Sequence, residues 1–225
     1  MEKIKAMLTL QQQLNDATNG KDWESGHTQH GKSIDWRRCI YLEAAELIES
    51  YPWKHWKNID AKPDYENIKI EAVDIWHFVM SEALRLYKVK EKGSIEDLAI
   101  AISQEEGYKG FVDNASITHQ DHYTEIATVE DFIKSLFCSE PIEVLVSKFF
   151  GVAQLSGLDL EKLYLLYIGK NILNTFRQDH GYKEGSYLKL WKGREDNVLM
   201  QEILESNRNI SPEMLYKKLE EIYPG

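Results

Sequence analysis

Cysteine is scarce in this 225-residue chain: Cys39 and Cys138 are the only two. Two cysteines make no disulfide framework, and these lack the spacing of zinc ligands. Proline and glycine are thin as well, at 5 and 13 residues, which leaves few of the turns that cut a chain into short strands. No apolar run approaches the roughly 18 residues of a membrane span. The opening residues, MEKIKAMLTLQQQLN, lack the continuous apolar stretch of a signal peptide. Positive charge is in deficit, 27 Lys and Arg against 37 Asp and Glu, for a formal net charge of −10. That balance speaks against general binding to nucleic acid or to an anionic membrane. Neither a P-loop nor a G-x-G-x-x-G run is present, so no glycine-rich turn of that kind cradles phosphate. A cytoplasmic, reducing setting is the expectation.

What is present is helical periodicity in a chain that is 43% hydrophobic, enough for a folded core. Residues 2 to 17 read as an amphipathic helix with Ile4, Met7, Leu8, Leu10 and Leu14 turned inward. Residues 20 to 33 form a polar loop, and Ser33 or Asp35 caps a second helix that runs to Tyr51. A third follows Pro63-Asp64. Residues 94 to 127 read as helical pieces around a polar loop, and Thr128 or Glu130 starts the next helix. Pro141 sits at the first turn of another, and LEKLYLLYIGKNILNTFRQDHG continues the pattern. A Gly- and Tyr-rich loop, GYKEGSYLKLWKG, precedes two short helices. The expected fold is all-α, a bundle-like core with a smaller helical part, in one catalytic domain over residues 1–225. Its mobile parts are expected around 90–130 and 178–197.

Two helices carry the same device. IYLEAAELIES places Glu43 and Glu46 three residues apart, and IKIEAVDIWHF does the same with Glu71 and Asp74. Residues at i and i+3 share a helix face, so each pair points two carboxylates one way. Both helices are otherwise strongly apolar, which brings the acids near packed surface, where desolvation costs on the order of several kcal/mol per ion unless something offsets it. All-oxygen donors suit Mg²⁺ or Mn²⁺; zinc would call for His or Cys. A di-iron carboxylate site calls for Glu-x-x-His pairs, and neither helix has one, with only Asp74-x-x-His77 approaching it. A solvated acidic stripe has the same spacing, so two readings stand at this level.

Polyphosphate is the natural substrate for carboxylate-held magnesium, and it also needs cations. The run GKNILNTFRQDHGYKEGSYLKLWKGREDN supplies Lys170, Arg177, Lys183, Lys189, Lys192 and Arg194, interleaved with Asn171, Asn174, Tyr182 and Tyr187. Lys170, Asn174 and Arg177 fall on one helical face. A solvated amphipathic helix followed by a surface loop is the alternative.

Taken together, EAAE, EAVD, WRRCIYLEAAELIES, YPWKHWK and YIGKNILNTFRQDHGYKEGSY resemble the dimeric dUTPase family of the all-α NTP pyrophosphatase superfamily. The motifs occur in order across both halves of the chain. The resemblance implies a homodimeric, Mg²⁺-dependent dUTP diphosphatase that hydrolyses dUTP, and dUDP, to dUMP, thereby limiting uracil in DNA and supplying dUMP for dTMP synthesis. It implies two or more metal ions, replaceable by Mn²⁺, on Glu43, Glu46, Glu71 and Asp74, with Glu43 or Glu46 activating water. It further implies that Gln12, Asn15, His55, Trp56, His77 and Asn174 line the base and sugar. Lys170, Arg177, Tyr182, Lys183, Lys189 and Asn197 then take the phosphate side. The partner is a nucleotide, with no nucleic acid and no membrane. Two alternatives remain: a related pyrophosphatase acting on another dNTP such as dCTP, and a non-catalytic helical binding module.

Overall fold

The structure is a computed structural model describing residues 1–58, 60–113, 119–138 and 140–225, which form ten helices and one two-stranded hairpin. The chain divides into two compact units, Met1–Leu163 and Tyr164–Gly225. The all-α expectation holds, at 69% helix. No helix among the described residues is long and apolar enough to cross a membrane.

In the first unit, α1 (Glu2–Asn19), a 3₁₀ turn (Trp23–Ser25), α2 (Trp36–Glu49) and α3 (Tyr65–Val89) come first. They are followed by α4 (Ile95–Gln104), α5 (Glu106–Asp113), α6 (His122–Phe137) and α7 (Ile142–Leu155). Starts are set by side-chain caps. Asp35 accepts from the Arg38 amide at 3.0 Å and Asp64 from the Asn67 amide at 3.1 Å. Ser94 and Asp97 close a reciprocal capping box at the start of α4.

The α6 helix begins at His122, earlier than the Thr128 or Glu130 expected from sequence. Asp121 accepts from the Tyr123 and Thr124 amides, and Ile126, Val129 and Phe132 then bury one face. The segment between 94 and 113 is mostly helix, whereas residues 114–118 of the expected mobile part lie outside the described residues.

The axis of this unit is α3, against which α1, α2, α7 and the 3₁₀ turn pack. It is buried on nearly every side, the state expected of a helix apolar around most of its circumference. Trp76 stacks on Phe149 with ring centroids 4.7 Å apart at 14°. Truncating such a core aromatic to alanine costs about 3–5 kcal/mol.

The inward face of α1 differs from the one expected. Leu10 and Leu14 are only half-buried, while Gln11 and Asn15, at 3% exposure each, continue the inward stripe of Ile4, Met7 and Leu8. The packed face of α1 therefore turns polar in its second half.

The helix α8 (Leu160–Asp179) supplies most of its length to the second unit, followed by strands β1 (Leu190–Trp191) and β2 (Arg194–Glu195), then α9 (Asp196–Ser206) and α10 (Pro212–Ile222). The hairpin was not expected. Lys192 and Gly193 both take positive φ, 55° and 81°, which is the two-residue turn that suits strand twist. Gly169 allows α9 to approach α8: a Cβ there would meet Met200 Sδ and Leu204 Cδ1 at 2.6 Å. Phe176, Tyr187, Trp191 and Tyr223 form an aromatic cluster in which Tyr187 and Tyr223 stack at 5.4 Å. The GYKEGSYLKLWKG segment is thus anchored at Tyr187 and Trp191, while Lys183 and Lys189 are exposed.

Candidate active site

The packing of α2 along α3 brings three of the four singled-out acids together. Ligand oxygens of Glu43, Glu46 and Glu71 lie within 4.8 Å of one another. Glu71 is 9% exposed and Glu43 half-buried, whereas Glu46 is open to solvent. Asp74 stands one turn further along α3, half-buried and outside that trio. Asn67, one turn before Glu71, donates to Glu71 Oε1 at 3.1 Å and to Ser50 Oγ at 2.8 Å. It ties the carboxylate of α3 to the end of α2.

Carboxylates this close repel one another, and a shared cation reverses that sign. The donors are hard oxygens with no thiolate or imidazole in the group, a set that fits Mg²⁺ or Mn²⁺. Burial alone does not make an acid a ligand. Glu82, only 3% exposed on the same helix, is occupied by Arg85 (2.8 and 3.0 Å) and Arg37 (3.3 Å). It forms part of the wall of a cleft of about 580 Å³ that none of the four acids lines.

Beside the acids on α3 lies a buried polar network. His77 Nδ1 is 2.7 Å from Gln11 Oε1, and Gln11 Nε2 donates to Asn15 Oδ1 and Ser81 Oγ, each at 3.1 Å. Asn15 Nδ2 donates to Ser81 Oγ at 3.0 Å, and the Ser81 hydroxyl donates to the His77 carbonyl at 2.8 Å. Asn15 and His77 are therefore brought together, through two residues that sequence reasoning passed over, Gln11 and Ser81. Gln12 instead donates to Asp16 and Glu24, at 2.9 and 3.0 Å. The i, i+4 spacing of Gln11 and Asn15 on a core-facing stripe was the available signal. His55 and Trp56 lie in the loop after α2. Trp56 is 60% exposed, with edge-to-face contacts to Trp53 at 5.6 Å and His55 at 4.9 Å.

In the second unit, the basic residues are organised by an acid the sequence reading did not single out. Asp196 takes a two-pronged ion pair from Arg177, both contacts at 2.8 Å, and accepts from the Tyr187 hydroxyl at 2.7 Å. Burial pushes the Asp196 carboxyl up, but the Arg177 guanidinium and the Tyr187 hydroxyl outweigh it, and its pKa falls below the ordinary carboxylate value. Arg177 also reaches Asn174 and Asn197 at 3.2 Å, and Lys170 donates to Asn197 at 2.8 Å. Lys170, Asn174, Arg177 and Asn197 thus form one constellation. Tyr182, 41% exposed, lies under both Arg177 and Lys189, at 5.8 and 5.9 Å from its ring centroid.

A family model described as dUTPase matches residues 3–182, four-fifths of the chain and every motif from the first helix to Tyr182. No curated protein matches it.

Proposed function

This chain belongs to the dUTPase family and is a dUTP diphosphatase, and from that premise we propose that Glu43, Glu46, Glu71 and Asp74 hold the divalent cations on which its reaction depends. Members of this family generally depend on divalent metal. The observation that carries the assignment is the convergence of Glu43, Glu46 and Glu71 oxygens within 4.8 Å on two packed helices. The four carboxylates would hold two or more Mg²⁺ ions, or Mn²⁺ in their place, which would supply Lewis acidity toward phosphate and water. Glu46, the solvent-open member of the trio, takes the proton from the attacking water. Glu71, steadied by Asn67, and Glu43 serve as ligands.

Gln12, Asn15, His55, Trp56, His77 and Asn174 take the base and sugar, with Gln11 beside them through its contacts to Asn15 and His77. The exposed Trp56 face suits a flat base. Lys170, Arg177, Tyr182, Lys183, Lys189 and Asn197 serve the phosphates, with Asp196 holding Arg177 in position. The substrates are dUTP and dUDP, cleaved to dUMP in the cytoplasm, which limits uracil in DNA and feeds dTMP synthesis. The enzyme works as a homodimer. Supporting that reading, Phe137 is 67% exposed and rests on Tyr41 at 5.6 Å, an apolar surface open to a second copy.

The test is steady-state hydrolysis of dUTP, dCTP, dTTP and UTP with Mg²⁺, on material whose mass is measured by light scattering. The expected result is the highest kcat/KM for dUTP, from a particle of twice the 26.2 kDa chain mass. Equal kcat/KM across the four would contradict the uridine assignment, and a single-chain mass would contradict the dimer.

A further inference from the structure

We propose that Ser81 is a positioning residue that fixes the proton of His77 on Nδ1 and so leaves Nε2 as a hydrogen-bond acceptor for the nucleotide. The nucleotide part of this inference rests on the reading of His77 given above; the proton lock does not.

Ser81 is fully buried on α3, one turn after His77. Its hydroxyl has one proton, and that proton goes to the His77 backbone carbonyl at 2.8 Å, because a carbonyl can only accept. The Ser81 oxygen is then purely an acceptor toward α1, and only N–H groups can face it. This decides the orientation of both amides: Gln11 and Asn15 must each turn NH₂ toward Ser81, at 3.1 and 3.0 Å. The second Gln11 N–H meets Asn15 Oδ1 at 3.1 Å. Gln11 is left presenting its oxygen to His77 Nδ1, 2.7 Å away, so Nδ1 must carry hydrogen.

A neutral imidazole protonated on Nδ1 carries no hydrogen on Nε2. What Nε2 recognises is therefore a donor: the sugar hydroxyl or the ring N3–H of uracil, a position where cytosine has a lone pair instead. A single buried hydroxyl, with no contact to substrate required, would thereby set the polarity of a recognition group on a neighbouring turn.

Two readouts test this. The first is ¹⁵N NMR of the histidine rings without nucleotide, with the His77 signal among the seven histidines assigned by its loss in His77→Gln. The expected wild-type spectrum has hydrogen on Nδ1 and a bare Nε2; hydrogen on Nε2 alone overturns the proposal, whatever the variants do. In Ser81→Ala the Nδ1-protonated form should lose its dominance, and Ser81→Thr, which keeps a hydroxyl able to reach the same carbonyl, should restore it.

The second readout is kinetic. Ser81→Ala should raise KM for dUTP roughly tenfold with kcat nearly kept, since uniform binding is lost. A purely structural role would lower kcat through the active fraction without shifting KM, and that result, or a wild-type KM in Ser81→Ala, overturns the positioning role. Parallel assays with 2′,3′-dideoxy-UTP and dCTP identify the donor, because the penalty for losing it should shrink in Ser81→Ala. If neither penalty shrinks, Nε2 does not read the nucleotide and that part of the proposal falls. Because the NMR is recorded without nucleotide, failure of the dUTP assignment, seen as no turnover by wild type, is told apart from failure of the lock.

Discussion

Glu46→Gln is expected to lower kcat for dUTP by ~10² or more while the protein stays folded. The change keeps size and polarity and removes the carboxylate charge, and with it the capacity to take a proton or hold a cation. Glu46 is solvent-open, so its replacement is expected to move stability by no more than about 0.5 kcal/mol. It also shares a 4.8 Å group with Glu43 and Glu71, so losing its charge alters the reacting centre and little else. Pyrophosphate release followed over time gives kcat, and thermal unfolding gives the stability control. An unchanged kcat would contradict the role given to Glu46.

Asp196→Asn should be the most damaging single polar substitution in the 164–225 unit. It removes the charge that Arg177 faces while leaving the guanidinium buried, at 9% and 2% side-chain exposure for the two partners. Removing one partner of a buried pair costs about 3–5 kcal/mol. The Tyr187 hydroxyl loses its charged acceptor in the same step.

The wild-type pair has a pH signature whose sign is fixed. The folded-state pKa of Asp196 is depressed, so the unfolded chain binds the proton more readily. The stabilisation is then fully present above the unfolded value of about 3.9 and drains away as pH falls through the folded value. Urea unfolding of wild type and Asp196→Asn, read by hydrogen exchange of the amides of residues 164–225, should therefore show a wide gap at neutral pH. The gap should narrow below about pH 4. A gap that stayed constant into acid would mean that the ion pair is not what holds this unit.

These effects bear on how much the sequence alone made legible. Helical periodicity gave the architecture, because amphipathic and all-apolar stripes leave a strong local signal, and it gave the acid pairs, because i and i+3 share a face in any helix. What stayed hidden depended on partners distant in sequence. Gln11 carried no expectation, and Asn15 was expected only as a nucleotide contact; both are buried where Ser81, some 66 to 70 residues away, accepts from them. Asp196 looked like one more acid in a polar run until folding brought it to Arg177, 19 residues earlier.

The hairpin at Leu190–Glu195 escaped notice because two-residue strands are too short for alternation to register, leaving only the Lys192-Gly193 turn as a cue. The start of α6 was missed for a local reason: the cap at Asp121 lies in a polar stretch, ahead of the first apolar residue of the periodic face, Ile126.

The most direct test of the central claim is a calorimetric titration of Mg²⁺ into the protein saturated with a non-hydrolysable dUTP analogue, comparing wild type with Glu71→Gln. Glu71 is chosen because it lies in the carboxylate trio, is nearly buried, and is steadied by Asn67. The account predicts saturable Mg²⁺ binding to wild type that weakens at least ~10-fold in the variant, with the fold retained in circular dichroism. Equal Mg²⁺ affinity in the two proteins would contradict it.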